Sequence, residues 1–299
     1  MSPVNPILDL LLPLALAFIM FSLGLTLRAD DFRRVAARPK AMLLGLFGQM
    51  LLVPALALAV ATALHLPAEM AVGLMILAVC PGGVSSGLLT HLARGDTALS
   101  ISLTAVTSVA AVVSVPFIVD FSMQHFMQTA VQVEFPLLTM VRGVFFLTTV
   151  PVVLGMGIKA WHPRLALRLE RPTGRLATLL FVLIVLATFA SQRQVIIDNL
   201  GRIGPAAMLL NVLVIGAGFS IAVLGGLKTR DRIAIATECG LQNAGLGIFI
   251  AASVLHSPAM TVPSVVYALL MNVSAIAFVM LMRRTERSTG AECTNPGRA

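Results

Sequence analysis

Glu238 is the one carboxylate that falls deep inside an apolar stretch of membrane-spanning length, in the run Glu238-Cys239-Gly240-Leu241-Gln242-Asn243-Ala244-Gly245. A bare carboxylate in hydrocarbon is costly unless something pairs with it. No lysine or arginine lies within five residues on either side, so a bound cation or a proton is the expected partner. A small hard cation such as sodium takes several oxygen ligands, and the chain offers candidates. Glu238 supplies charge, Gln242 and Gln49 supply amide oxygens, and Ser86, Ser100 and Thr104 supply hydroxyls. Backbone loosened by glycine near Cys239 and Leu241 adds carbonyls. A purely structural, protonated carboxyl is the plain alternative for Glu238. Isolated membrane glutamines such as Gln49 often only bond across helices. Ser100 and Thr104 share a helical face, and such hydroxyls often bond back to their own helix.

A second interruption, Cys80-Pro81-Gly82-Gly83-Val84-Ser85-Ser86-Gly87, lies at the centre of another apolar segment. Proline removes a donor and clashes with the preceding turn, and the glycines weaken what remains. Backbone freed at membrane depth is tolerated only where it lines a protein-enclosed cavity. Both interrupted segments are followed by a short connector and one more span. They are expected to be equivalent positions in two structural repeats, the pattern that points to a central transport site. Half-helix amino termini at the breaks suit an anionic substrate. Gly83-Val84-Ser85-Ser86-Gly87 also fits G-x-S-x-G, but that motif needs a strand-to-helix elbow in a soluble sheet, so an enzyme is not expected.

Nine segments of about 20 or more apolar residues must position these groups, at 5–27, 40–64, 69–92, 97–121, 137–159, 176–197, 205–227, 231–254 and 259–282. Composition agrees: 58% of the 299 residues are hydrophobic and 11% charged, against roughly a quarter charged in a soluble domain. The net charge of +8 sits between apolar blocks and reads as topology, with no nucleic-acid partner expected. If the first connector is cytoplasmic, eighteen of the 21 basic residues fall on that side; Arg193 and Arg202 fall opposite and Arg142 lies within a span. The positive-inside rule then predicts nine helices, the amino terminus outside and the carboxyl terminus in the cytoplasm. The repeats are expected at about 1–121 and 137–282, and residues 122–136 as an interfacial segment or a solvated loop. The tail 283–299 reads as disordered. Cys80, Cys239 and Cys293 show no paired spacing, and the start lacks the basic region of a signal peptide.

Cys80-Pro81-Gly82-Gly83, Leu92-Ala93-Arg94-Gly95-Asp96-Thr97-Ala98-Leu99-Ser100 and Glu238 to Gly245 closely resemble the bile acid:sodium symporter family. Met20 to Leu27, Leu66-Pro67-Ala68-Glu69, Val262-Pro263 and Asn272 extend the likeness over nearly the whole chain. The resemblance implies an all-α polytopic fold with panel and core domains and the two broken helices crossing in the core. It fits a nine-span form lacking the first helix of ten-span bacterial relatives. It implies one sodium site at Ser86, Ser100, Thr104 and Glu238. A second would use Gln49, Gln242 and Glu238 with carbonyls of Cys239 and Leu241. Val84, Ser85, Asn243 and Asn272 become candidate substrate contacts. Many relatives carry an asparagine where this chain has Gly87, which removes a side-chain oxygen from the first site.

The expected function is sodium-coupled import of a small organic anion, bile-acid-like or pantoate-like, across a bacterial inner membrane. The bilayer is the only obligate surroundings, and no protein partner is evident. A proton-coupled carrier with Glu238 titrating is the nearest alternative. A non-transporting membrane receptor or scaffold is the alternative from another class.

Overall fold

The computed structural model describes residues 6–28, 30–31, 38–83, 85–127 and 137–293. Among the described residues the fold is helical, and six helices are long and apolar enough to cross a membrane. Helix α1 covers Pro6–Thr26 and α2 Pro39–Ala63. The first interrupted segment forms α3 (Ala68–Val79) and α4 (Ser86–Leu92). Then come α5 (Thr97–Met127), α6 (Leu138–Trp161), α7 (Pro163–Ser191) and α8 (Arg193–Leu224). The second interrupted segment forms α9 (Thr229–Gly240) and α10 (Ala244–Val254), and α11 covers Val262–Cys293.

Burial sorts these helices. Every residue of α3 from Met70 to Val79 is buried, as is α9 from Ile233 to Gly240. The long helices instead show Leu51, Val113, Phe117, Phe146, Leu179, Val212 and Val273 on their outer faces, each more than half exposed. An apolar exterior on that scale needs an apolar solvent. Of the short helices, α3, α9 and α10 are interior, while α4 keeps Leu88 and Leu92 exposed; the long helices form the sheath.

Two groups of helices pack within themselves. In one, α1 lies against α6 and α7. Gly24 and Gly155 permit it, because a Cβ on Gly24 would strike the Val152 carbonyl and one on Gly155 the backbone of Phe21 and Leu25. Small residues let membrane helices approach this closely. Lys159 donates to the Thr26 carbonyl at 2.8 Å, closing the end of α1. In the other group α2, α5, α8 and α11 surround the four half-helices. The end of α8 is set by Gly226 at φ +64°, with Leu227 N–H returning to the Ala222 carbonyl.

Arg38, Asp96 and Asp231 tie the starts of α2, α5 and α9 together. Arg38 donates to Asp96 at 2.6 Å and to both oxygens of Asp231 at 2.7 and 2.9 Å, while Asp96 also caps Leu99 N–H. Burial opposes the Arg38 charge, but Asp231 and then Asp96 outweigh it and hold the guanidinium above its ordinary pKa. Asp231 is only 5% exposed at its side chain, so losing Arg38 leaves a buried carboxylate without its cation. Arg38→Ala is expected to cost about 1–3 kcal/mol, with Arg38→Lys intermediate because the two-pronged contact is lost. Thermal unfolding of the detergent-purified protein measures both.

Several sequence boundaries need correction. Residues 122–127, expected in an interfacial segment or loop, continue α5, while 128–136 lie outside the described residues. Helix α7 begins at Pro163 rather than 176, and α8 at Arg193 rather than 205. Apolar windows find the hydrocarbon-length part of a helix but miss charged turns beyond it. Pro163 occupies a first-turn position where its missing N–H costs nothing. The tail expected to be disordered stays helical to Cys293. Cys80 and Cys239 are buried and unbridged.

Candidate cation site at the crossing of two broken helices

Helix α3 stops because Pro81 cannot donate and forces the residue before it to be extended, with Cys80 at φ −64°, ψ 149°. Helix α9 stops at Gly240, where Leu241 turns extended at φ −108°, ψ 94°. Asn243 then caps α10 by accepting from Leu246 N–H at 3.1 Å. The two interruptions satisfy each other. Gly83 N–H donates to the Leu241 carbonyl at 2.7 Å and Asn243 N–H to the Pro81 carbonyl at 2.9 Å. Gly82 faces Gln242 as a short antiparallel bridge. Glycine is required at 82, since a Cβ there would fall on the Glu238 carboxylate.

Around this crossing the structure gathers the sequence candidates into two adjoining sets. Thr104 donates to one Glu238 oxygen at 2.5 Å and Ser100 to the other at 3.0 Å. Ser86, from the first turn of α4, stands against both of these hydroxyls. Its oxygen lies 3.4 Å from that of Thr104 and 3.5 Å from that of Ser100. Gln49 donates to the Gln242 side-chain oxygen at 2.8 Å and to the Cys80 carbonyl at 2.9 Å. Gln242 donates to the Cys239 carbonyl at 2.8 Å. A widened, π-type turn at Gly48–Leu52 carries Gln49 in α2, a local distortion often found at working sites. Glu238, Gln242, Gln49, Ser86, Ser100 and Thr104 are each at most 2% exposed.

No basic side chain partners Glu238 among the described residues; its contacts are hydroxyls. Hydroxyl and amide oxygens keep lone pairs when their protons are directed elsewhere, so rotating the three hydroxyls turns the Glu238 set into an all-oxygen cage. Such a cage suits a hard cation, and the same carboxyl could alternatively carry a proton. The groups proposed for substrate are less gathered. Asn243 is buried in its cap, and Ser85 is partly exposed beside the break. Asn272 donates to the Ala268 carbonyl of its own helix at 2.7 Å, and Val84 lies outside the described residues. Gly87 has room for a side chain, with only Ile101 near, at 3.5 Å.

One set of site residues escaped the sequence. The Gly240 carbonyl, freed where α9 ends, accepts from Asn211 Nδ2 at 2.8 Å and from the Tyr267 hydroxyl at 3.0 Å. Ser274 donates to the Asn211 side-chain oxygen. Asn211 reads from sequence as a packing amide. Tyr267 gave a usable signal: it is the only tyrosine of the chain, and a buried phenol in an apolar span needs a partner.

An interior of broken helices, sheathed by lipid-length helices and centred on an oxygen-rich acidic crossing, defines a membrane transporter. The chain belongs to the Sodium Bile acid symporter family, whose model matches residues 13–199. It is 29% identical over 282 residues to the Bacillus subtilis protein described as an uncharacterized sodium-dependent transporter, YocS, covering 94% of this chain and 86% of that one. It is 27% identical to the rice probable sodium/metabolite cotransporter BASS2, chloroplastic, over 91% of this chain and 64% of that protein. It is likewise 27% identical to human sodium/bile acid cotransporter 4, over 82% of this chain and 56% of the human one.

Proposed function

We propose that this protein is a sodium-coupled symporter that imports a small organic anion, bile-acid-like or pantoate-like, across a bacterial inner membrane. The observation that carries the reading is Glu238, buried among hydroxyl oxygens with no cationic side chain at hand among the described residues. In this reading Glu238, Ser86, Ser100 and Thr104 hold one sodium. Gln49, Gln242 and Glu238 hold a second, with the carbonyls of Cys239 and Leu241. Substrate sits beside the crossing at Val84, Ser85, Asn243 and Asn272, where half-helix amino termini favour negative charge.

The architecture follows the same proposal. The chain crosses the membrane nine times, amino terminus outside and carboxyl terminus in the cytoplasm, as two inverted repeats. Helices α1, α6 and α7 form a panel that moves against a core of the remaining helices. Sodium bound at the crossing stiffens the backbone that meets substrate, so each ligand tightens the other.

Uptake of labelled taurocholate and labelled pantoate into sealed vesicles tests this reading. Replacing external sodium with choline or potassium is expected to remove at least nine-tenths of the accumulation of the transported anion, on the order of tenfold or more. Accumulation that ignores sodium but follows a pH gradient would instead establish the proton-coupled carrier.

A further inference from the structure

Gly240 poses a mechanical problem at the crossing. The Cys239 and Leu241 carbonyls flank it, and glycine is the residue least able to hold its own backbone direction. Its own helix holds this peptide only at the N–H side, where Leu241 donates to the Thr237 carbonyl at 3.0 Å. The Gly240 carbonyl would normally meet Ala244 N–H, but that group bonds the Gln242 carbonyl at 3.0 Å. Two other helices hold the carbonyl side. Asn211 from α8 and Tyr267 from α11 donate to the same oxygen, at 2.8 and 3.0 Å. Asn211 also gives its second amide proton to the Tyr267 oxygen at 2.8 Å, closing a triangle. Ser274, about two turns further along α11, donates to the Asn211 side-chain oxygen and so fixes which way the amide faces. Asn211 and Tyr267 are fully buried.

The protons in this triangle are all used. The amide spends one on Gly240 and one on the phenol oxygen, the phenol spends its own on Gly240, and both lone pairs of the Gly240 carbonyl are taken. That carbonyl is therefore an anchor and not a ligand. Because the peptide unit is planar and stiff, holding the Gly240–Leu241 peptide restricts the peptides on either side. Those are the peptides whose carbonyls, at Cys239 and Leu241, belong to the second proposed sodium site.

We propose that Tyr267 and Asn211 are positioning residues that set sodium affinity by fixing the peptide after Gly240, with Ser274 orienting the amide. The inference rests on the sodium-symport reading. It also gives α11, which carries Asn272, a direct mechanical connection to the cation-bearing break.

The test needs only sodium as a probe. Melting temperature of the detergent-purified protein is followed across a sodium titration, with choline keeping ionic strength constant. Tyr267→Phe keeps the ring and removes one donor. It is expected to raise the sodium concentration for half-maximal stabilisation about three- to tenfold, the loss of one buried hydrogen bond. Asn211→Leu fills the same space with neither donor, and is expected to shift it at least as far. Ser274→Ala is expected to give a smaller rise in the same direction. A lower sodium-free melting temperature with an unchanged sodium midpoint in Tyr267→Phe would overturn the proposal, leaving the triangle a purely structural contact. Should Tyr267→Phe fail to fold, an unchanged midpoint in Ser274→Ala overturns it equally. A wild-type protein without any sodium response overturns the symport reading, and this inference with it. A responsive wild type beside unshifted variants overturns this inference alone.

Discussion

Glu238→Gln is expected to abolish the sodium-dependent rise in melting temperature and sodium-driven accumulation together. The substitution keeps the shape and one acceptor oxygen but removes the formal charge that Glu238 brings to the hydroxyls of Ser100 and Thr104. Removing one partner of a desolvated ion pair costs about 2–5 kcal/mol, on the order of 30- to several-thousand-fold in affinity. Sodium would then fail to bind at millimolar concentrations. The amide is also a mimic of the protonated acid, and this separates the two coupling mechanisms. A proton-coupled carrier locked in its protonated form should still exchange labelled for unlabelled substrate across the membrane, with its pH dependence gone. A sodium-coupled carrier stripped of its charge should lose exchange driven by sodium at every pH. Folding is checked by the sodium-free melting temperature, which should change little because the amide oxygen accepts from one of the two hydroxyls and the other can turn to accept from the amide N–H.

Gly82→Ala is the second change with a large expected effect, and it works through space rather than charge. A methyl group at 82 would occupy the position of the Glu238 carboxylate. The carboxylate must then leave Ser100 and Thr104, or the bridge to Gln242 must open. Either response dismantles the oxygen cage, so sodium-stimulated uptake should be lost. The strain of overpacking should lower stability by about 1–3 kcal/mol. Gly87→Ala is the matched control in the same segment. Its added carbon meets only Ile101 at an ordinary 3.5 Å, and a near wild-type sodium midpoint is expected. Equal damage from both substitutions would show that the segment tolerates no side chain anywhere, and would sink the specific link between Gly82 and Glu238.

The interruptions themselves were legible in the sequence because proline and clustered glycine act locally. Pro81 and Gly240 end their helices whatever surrounds them. That Glu238 must find company was also legible, from the cost of a bare charge in hydrocarbon. Which hydroxyls it finds was a different matter. Nothing in the spacing of Ser86 and Ser100 says that they meet, and their pairing came from the family likeness. Contacts between distant segments, such as Arg38 with Asp231, depend on how helices stack, and no local pattern encodes that. Helix bounds failed mostly where charge begins: α7 and α8 start 13 and 12 residues before the apolar windows and α11 runs past its window, because backbone hydrogen bonding does not stop where hydrophobicity does. At their other ends α7 stops at Ser191 and α8 at Leu224, short of the expected 197 and 227.

The reciprocal bonding of the two interruptions carries a consequence for how the protein is made. Among the described residues, Gly83 N–H and the Pro81 carbonyl find their partners at Leu241 and Asn243, about 160 residues later in synthesis. At the usual pace of translation that is a wait of roughly 8–30 s. Throughout it the first interruption holds polar backbone that hydrocarbon cannot satisfy. The nascent chain must therefore keep this segment wet, inside the insertion machinery or at the membrane surface, until the second half arrives. Ribosome-stalled chains ending before residue 241 should leave Cys80 open to a water-soluble thiol reagent, whereas in the finished protein it is sealed.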